Sequence, residues 1–564
     1  MPRNLPFAAA CLLTLSACSG GGSEPAQLEI VSAPALYANP NGWVPLTALV
    51  AVEVSVPARI DLEFSDGTRT WRVPAVREYE RVHTRVPVLG LRAGVPHTIR
   101  VIACSEAGDE LVAPEELAWT PPPLPADFPP VQVTASRPAR MQPGGTMLNL
   151  VSPGRGDHMV LLDEEGQVVW YLDDSLLPRN PAPQSFLCVP LPSGNLMLIV
   201  ERRALLEVTM LGEVVGAWWA TGQGPVPPGL PFTPVATDSF HHDLIVLPPG
   251  SGADFATLST EVRTYPNYPV SVTDPSQVAP TASVVGDVVV EFKRDGSIVR
   301  EYRLLDLLDP YRMCYDTLAG WWDDYYLRPT RDWSHANAVT HVPVDDSLLV
   351  SLRHQDCVLK VSRTTGLLQW ILGPHERWRT PWQGFLLAAA PGFVWNYHQH
   401  APSLDADGSI VLFDNGNHRA VPPTQGTTPA ASWSRAVDLR IDARTRTVHT
   451  EWAHGTQPGG PGPSFSRSCR RRGPAALRQR AGVRRRQDGA AAARQPVCAD
   501  RRGHAYGAGR GRVRGVRARR GSCRAGEPLL LPRVAGSHAV PLSPGALRPS
   551  APGAASRSCG SRVR

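Results

Sequence analysis

Histidines stand at three places in the chain where a short apolar strand follows at once. The segments are FHHDL at 240–244, SHANAV at 334–339 and YHQHAP at 397–402. A single histidine is usually a packing or surface residue. Three before comparable strands are hard to explain by packing, because buried imidazoles must find polar partners. We therefore predict that these segments contribute to one functional cluster.

Two of the segments offer a choice of histidine. In an extended strand, residues i and i+2 face the same way, so His398 and His400 can both line a shared site. His241 and His242 point in opposite directions if the strand is extended, so only one of them can belong to that site.

The elements that must position these residues form a repeat. Each copy has an apolar strand, a turn ending in glycine, a second apolar strand and an aromatic residue, and a further strand pair precedes several copies. The copies cover 161–170, 208–218, 290–302 and 361–370, with a weaker fifth at 439–452. Four short strands per unit are typical of a β-propeller blade, whose first residues point into a central channel. The repeat favours a propeller over a generic all-β protein with common turns.

A smaller β-domain precedes the repeat. Residues 27–120 form short alternating apolar and polar runs separated by turn residues, which predicts a β-sandwich of immunoglobulin or fibronectin size. The proline-rich stretch 121–130 is predicted to be a linker, and residues 131–465 the propeller domain.

The N-terminus has the pattern of an export signal. Arg3 and a short apolar stretch precede LSAC at 15–18, which resembles the bacterial lipobox, and a Gly/Ser-rich stretch follows. The pattern predicts a signal peptide over 1–17, a lipidated Cys18 and a flexible tether over 18–26. The alternative is an ordinary signal peptide with an incidental cysteine. The expected location is the periplasm, with a lipid anchor in the outer membrane because serine follows the cysteine.

The last part of the chain has a different composition. Residues 467–564 contain 24 arginines, three acidic residues and no Lys, Asn, Ile, Met, Thr, Phe or Trp, whereas the preceding residues hold 48 acidic and 33 basic residues. An acidic body does not suit a nucleic-acid binder. We interpret 466–564 as out-of-frame translation of GC-rich DNA, with the break near 460–470 and a disordered tail in place of the last blade. The alternative is a genuine basic disordered tail that binds anionic lipid or nucleic acid.

Three motifs resemble the bacterial arylsulfate sulfotransferase family, whose enzymes work without a nucleotide donor. They are HHDLIVLPPG, HANAVTHVPVDDSLLVSLRHQDCVLKVSRTTGLLQWILG and HQHAPSLDADGSIVLFDNGNHR, within a resemblance covering about 130–460. The resemblance implies an all-β fold, a six-bladed propeller behind a small β-domain. It also implies ping-pong transfer of a sulfuryl group from a phenolic sulfate ester to an enzyme histidine and then to a phenol, with no cofactor and no metal.

The same resemblance implies the residues of the site. Carried over by motif, they are the nucleophile His400 with His242, His335, Asn337 and Arg353, and the alternates His398 and His241. A neutral imidazole is a competent nucleophile at pH 7. The transferred SO₃ spreads negative charge over three oxygens, which an arginine fork can bind. The turn at 414–419 ranks lower, as does the aromatic cluster 321–326, which is either an acceptor-binding lip or a packed lid.

The expected partners are small aromatic sulfate donors and phenol acceptors, with membrane contact only through the lipid anchor and no nucleic acid. A homodimer is left open. One competing function is a metalloenzyme of the oxygenase type with His242, His335 and His400 as ligands, although Arg353 in the same channel opposes a metal cation. Another is a lipid-anchored propeller that binds a partner without catalysis, which predicts that function survives loss of the histidines.

Overall fold

The computed structural model describes residues 27–455, except 138, 140, 142–143, 153–155, 174–186, 223 and 228–230. The predicted signal peptide, Cys18, the tether and the arginine-rich tail therefore lie outside the described residues. Nearly all regular structure in the described part is β-strand, as the sequence predicts. None of its helices is long and apolar enough to span a membrane.

The N-terminal domain is one curled sheet. Its strands are β1 (Ile30–Ala38), β2 (Ala48–Ser65), β3 (Thr70–Val88), β4 (His97–Ser105) and β5 (Glu110–Trp119). They are ordered β1-β2-β4-β5, with β3 also paired to β2. Alternate residues of β2, from Val50 to Phe64, are buried in a single core. A register shift between Glu53 and Ala58 separates the two halves of β2, which pair with β1 and β4 respectively. The predicted β-domain is thus one continuous sheet around its core.

Five further sheets follow in chain order within the described part of the chain. The first sheet contains β6 (Thr146–Ser152), β7 (Gly156–Leu162) and β8 (Val168–Asp173). The second contains β9 (Leu187–Pro190), β10 (Leu196–Val200), β11 (Ala204–Val208), β12 (Val214–Ala220) and β13 (Thr233–Val235). The third contains β14 (His241–Val246), β15 (Phe255–Pro269), β16 (Val278–Phe292), β17 (Ile298–Arg303) and β18 (Arg331–Asp332). The fourth contains β19 (Ala336–Val342), β20 (Ser347–Leu352), β21 (Cys357–Ser362) and β22 (Leu368–Leu372). The fifth contains β23 (Ala388–Ala389), β24 (His400–Leu404), β25 (Ile410–Asp414), β26 (Arg435–Asp442) and β27 (Thr447–His454).

Each of these sheets is built on an antiparallel meander, the repeating unit of a β-propeller. The first strands β9, β14, β19 and β24 contact one another from sheet to sheet, so they line the centre of the array. The predicted turn glycines at 166, 212, 296 and 366 all have φ between 76° and 85°. This left-handed conformation is favourable for glycine, which explains why the repeat keeps glycine at that position. The β6–β8 sheet has three strands among the described residues.

The linker and the small domain pack against the first sheets. Phe128 of the predicted linker stacks edge-on with Tyr171 of β8 at a ring distance of 5.1 Å. Asn41 of the N-terminal domain donates a hydrogen bond from Nδ2 to the carbonyl of Gly212 at 2.6 Å. The stretch 121–130 is therefore a packed connection between strands.

A long segment between β17 and β18 covers the central strands. It contains the short helices α1 (Leu304–Leu307) and α2 (Asp323–Tyr326). The Tyr268 hydroxyl of β15 donates to the Pro310 carbonyl at 3.0 Å, and the Trp333 indole donates to the Arg312 carbonyl at 3.1 Å. These contacts anchor the segment, which carries Asp316 into the histidine cluster, while Asp332 reaches the cluster from β18.

Candidate active site

The predicted histidines meet where the innermost strands begin, and the backbone there departs from regular sheet. His242, His335 and His398 all have positive φ, at 58°, 45° and 51°. Such values are uncommon for residues other than glycine and tend to occur at functional sites. Register shifts also interrupt β14 after His241 and β24 after His400. These irregularities turn side chains out of strict alternation.

Five imidazoles form a continuous row across three blades. Ring centroids lie 5.0 Å apart between His242 and His335, 4.4 Å between His335 and His354, and 6.0 Å between His354 and His398. His418 continues the row at 5.6 Å from His398. His354 and His418 were not among the predicted site residues, although each stands inside a quoted motif.

The hydrogen bonds of His400 seen among the described residues all fall on one ring nitrogen. Its Nδ1 lies 2.7 Å from Oδ1 of Asn415 and 3.2 Å from the main-chain carbonyl of His398. The carbonyl can only accept, so Nδ1 carries the hydrogen and Nε2 carries the lone pair. Burial, followed by the positive charge of Arg353, holds the pKa of His400 well below its usual range. His400 is therefore a neutral imidazole at pH 7.

His398, two residues earlier, is in the opposite state. Its Nδ1 lies 2.8 Å from Oδ1 of Asp356, and its Nε2 lies 3.2 Å from Oδ2 of Asp316. Burial lowers the pKa of His398, but the charge of Asp356 and the bond to Asp316 outweigh it, so the pKa is raised. Both ring nitrogens donate to carboxylates, and the charged ring has no lone pair for nucleophilic attack.

His335 and Asp332 form a buried hydrogen-bonded pair. Nδ1 of His335 lies 2.5 Å from Oδ2 of Asp332. Burial and the charge of Arg353 lower the pKa of His335 to about 3, while burial and the charge of Asp287 raise the pKa of Asp332 well above its usual range. The pair is therefore neutral as a whole, with one proton in their shared hydrogen bond. The other proton lies on Nε2 of His335, which is a donor.

His242 joins the row, and His241 lies behind it. The Nδ1 atoms of the two rings are 2.8 Å apart. Nε2 of His241 faces the Ser259 carbonyl at 3.1 Å and Oδ1 of Asp287 at 3.2 Å, so that nitrogen carries a hydrogen. The two Nδ1 atoms then share one hydrogen between the rings. The positive φ of His242 explains why the two rings touch, against the alternation expected for an extended strand.

Arg353 stands beside the row at the end of β20. It begins a 3₁₀ turn over Arg353–Gln355, and its main-chain N–H donates to the His335 carbonyl at 3.1 Å. Its Nη1 lies 3.4 Å from Oδ2 of Asp316. The charge of Arg353 also acts on His400, so the guanidinium influences His400 as well as Asp316.

Asn337 links the second and third histidine segments. Its Nδ2 donates to the Gln399 carbonyl at 2.8 Å, which fixes the orientation of the amide. Its Oδ1 is buried and has no hydrogen-bond partner among the described residues. A buried, unpaired acceptor beside His398 and His400 is a site for a donor group of a ligand.

The aromatic cluster 321–326 has two roles in packing. Trp322 is buried and contacts His241 at a ring distance of 5.1 Å. Trp321 is half-buried and meets His335 edge-on at 5.5 Å. Of these two tryptophans, Trp321 is the less buried and lies directly beside the row.

Two groups of side chains have the spacing of a metal site in the described part of the chain. They are Asp316, His398 and His418, and Asp332, His335 and His354. The predicted ligand set of His242, His335 and His400 is not one of them. The charge of Arg353 acts on His398 and His335, one in each group, and a fixed cation at that distance opposes a metal ion.

Some of the residues that hold these rings stand near the predicted histidine motifs in the sequence, and others do not. Asp332 and Asp356 stand close in sequence to His335 and Arg353, and Asn415 lies in the turn that ranked lower. Nothing in the sequence relates Asp287 or Asp316 to a histidine far along the chain. The four described cysteines, Cys104, Cys188, Cys314 and Cys357, are all free.

Known proteins of several kinds are similar to this chain. Arylsulfate sulfotransferase AssT of Escherichia coli O6:H1 (strain CFT073) is 27% identical over a stretch covering 31% of this chain and 36% of that protein. AssT of Lelliottia amnigena is 25% identical with the same coverage. The match thus spans about a third of the length of these relatives. A Bacteroides caccae crystal structure of unknown function covers 72% of this chain and 97% of that chain at 10% identity, with a TM-score of only 0.29.

The family model described as Arylsulfotransferase (ASST) matches residues 131–468, more than half of the chain. The matched range contains every residue of the histidine row and Arg353. The chain belongs to the arylsulfotransferase family.

Proposed function

We propose that the protein transfers a sulfuryl group from a phenolic sulfate ester to a phenol, through a sulfo-histidine at His400. The observation that carries the proposal is the fixed tautomer of His400, a neutral ring whose Nε2 lone pair is free beside Arg353. A neutral imidazole is a good nucleophile, and the sulfonated ring, which keeps its hydrogen on Nδ1, releases a neutral imidazole as the leaving group.

In the first half of the reaction, Nε2 of His400 attacks sulfur, a nitrogen–sulfur bond forms, and the bond from sulfur to the phenolic oxygen breaks. The departing oxygen takes the proton from Nε2 of His335. In the second half, the acceptor oxygen attacks sulfur and its proton returns to His335, while the nitrogen–sulfur electron pair returns to His400. Acid and base are thus the same group in opposite directions.

The charge on the transferred group is stabilised by fixed cations. Arg353 supplies a guanidinium fork. His398, whose two ring nitrogens are hydrogen-bonded to carboxylates, supplies an imidazolium that cannot act as a nucleophile. Preorganised donors of this kind need no rearrangement when charge develops.

We assign His242 and Asn337 to positioning the acceptor phenol. The ring of His242 lies 5.0 Å from that of His335, so it stands beside the proton that His335 gives and takes back. His241, which faces Asp287, contacts His242 through the two Nδ1 atoms and orients its ring. The unpaired Oδ1 of Asn337 accepts the hydroxyl hydrogen of the phenol.

The test is an assay with 4-nitrophenyl sulfate as donor and a phenol as acceptor. Nitrophenol release that requires the acceptor supports transfer, whereas release without acceptor indicates a sulfatase. Intact mass spectrometry of enzyme mixed with donor alone should show one added SO₃. Stoichiometric iron or zinc in purified active protein would instead favour the metalloenzyme.

We also propose that the protein works in the periplasm on a lipid anchor at Cys18. The LSAC segment and the Gly/Ser-rich stretch after it support this location. Cys18→Ala should move the protein from the membrane fraction to the soluble periplasmic fraction, and unchanged fractionation would contradict the anchor.

A further inference from the structure

Asp316 places a negative charge against the two cations of the site. Its Oδ2 lies 3.2 Å from Nε2 of His398 and 3.4 Å from Nη1 of Arg353, and its Oδ1 lies 3.7 Å from Nε2 of His418. Burial opposes ionisation, but the bonds from His398 and His418 and the charges of His398 and Arg353 hold the pKa of Asp316 well below its usual range. Asp316 is thus a carboxylate at neutral pH.

This carboxylate lies on the solvent side of the cations it contacts. The Asp316 side chain is 36% exposed, whereas Arg353 is 13% exposed and His398 is fully buried. An anion that reaches Arg353 and His398 from solvent therefore passes close to Asp316 and competes with it for these two cations. The carboxylate is bonded only to members of this cluster among the contacts of the described chain, so it has no separate role in holding a strand.

We propose that Asp316 selects monoanionic sulfate esters against dianionic phosphate esters of the same shape. This inference rests on the sulfuryl transfer proposed above and names the residue that sets its substrate class. Aryl sulfates carry one negative charge, whereas phosphate monoesters carry close to two above their second ionisation. A neighbouring carboxylate repels the dianion about twice as strongly as the monoanion, because Coulomb energy is proportional to charge.

The charges on the site are consistent with this selection. Arg353 and His398 contribute two positive charges, and Asp356 and Asp316 contribute two negative ones. The Asp332–His335 pair and His400 are neutral in the forms described above. Without Asp316, Arg353 and His398 would be in contact with one carboxylate fewer, and the potential at these two cations would be more positive, which favours the more highly charged phosphate ester.

The experiment measures binding of two inert ligands, benzylsulfonate and benzylphosphonate, by calorimetry at a pH high enough to ionise the phosphonate twice. The ligands have matching shapes, differ by one charge, and lack a leaving group. The wild-type protein should bind the sulfonate more tightly. In Asp316→Asn, affinity for the sulfonate should rise several-fold and affinity for the phosphonate by about the square of that factor.

Two further variants sharpen the result. Asp316→Glu retains the charge and should keep the wild-type preference, while Asp316→Ser replaces Asn if that variant fails to fold. Asp306→Asn removes an equal charge from α1, where Asp306 is exposed and paired with Arg263, and should change neither affinity. An unchanged ligand preference in folded Asp316→Asn and Asp316→Ser, or an equal shift in Asp306→Asn, overturns the proposal.

The binding readout does not depend on catalysis. If the wild-type protein fails to transfer sulfuryl groups but its ligand preference shifts as described, the proposed reaction is wrong and the charge selection stands. If transfer occurs and the preference does not shift, only the role of Asp316 is wrong.

Discussion

Asn415 Oδ1 lies 2.7 Å from His400 Nδ1, and this neutral partner distinguishes His400 from its neighbour His398, whose Nδ1 lies 2.8 Å from the Asp356 carboxylate. An amide fixes the tautomer of a ring without stabilising its charged form as a carboxylate does. Although only one residue separates them, His400 is therefore a neutral ring with a lone pair on Nε2, and His398 is a cation without a lone pair.

Replacing His400 by Ala should abolish transfer and the mass increase after donor treatment, with the fold intact. Loss of a covalent nucleophile usually costs many orders of magnitude in rate. His398→Gln is the control: it should slow the reaction but still show the sulfonated enzyme. A His400→Ala enzyme that keeps more than about a tenth of the wild-type rate would exclude this residue as the nucleophile.

Replacing Asn415 by Asp should shift the pH–rate profile to higher pH. A carboxylate at Nδ1 stabilises the imidazolium, so it raises the pKa of His400 and removes the lone pair at neutral pH. We expect the acid limb of kcat to move to higher pH, with activity partly recovered in alkaline buffer. Asn415→Leu should lower kcat without moving that limb. Identical profiles for Asp and wild type would show that this contact does not control the nucleophile.

Arg353→Lys should reduce kcat/KM by roughly 10²-fold or more, the scale of removing one oxyanion donor. A lysine ammonium keeps the charge but cannot present a planar fork to sulfuryl oxygens. Steady-state kinetics with a fixed acceptor would measure the loss. Wild-type kinetics in this variant would mean that Arg353 does not contact the transferred group.

Stability should fall as pH drops from about 6.5 toward 4.5. The pKa values of His335, His354 and His400 are lowered from the ordinary value of 6.5. As the pH falls, these three histidines therefore bind protons in the unfolded chain while they remain neutral in the native state. Each contributes up to about 1.4 kcal/mol per pH unit. His398 and Asp332 have the opposite sign, because a raised pKa adds stability at low pH that is lost as pH rises; the expected fall is the net effect of the three rings against these two groups.

Thermal unfolding across this pH range measures the net effect. His354→Gln should flatten the dependence, whereas His449→Gln, at an exposed position on β27, should leave it unchanged. A constant melting temperature from pH 6.5 to 4.5 would show that the three rings are not held neutral by folding.

Resequencing the gene across codons 455–475 should reveal a frame break. The composition changes near residue 466, and the family match ends at residue 468, within the same interval. A frame-corrected gene should give an active, more soluble product, because strands that cover exposed sheet edges would be restored. Full activity and solubility of the chain as given would refute this interpretation.

The sequence by itself determined the features that are local in the chain. The repeat of strand, glycine turn and strand predicted the blades, since turn glycines need positive φ and strands need apolar runs. The three histidine segments predicted the cluster because each stands immediately before an inner strand, and the family resemblance of the motif around Arg353 assigned that residue to the same site.

Only the tertiary structure decided what each ring can do. Asp287 and Asp316 are distant in sequence from the histidines they contact, and the strand alternation argument failed at His242, where φ is positive. Tautomer and charge depend on burial and on partners brought in from other blades. A sequence pattern can therefore identify the histidines, but which of them is neutral, charged or paired is fixed by the contacts that folding creates.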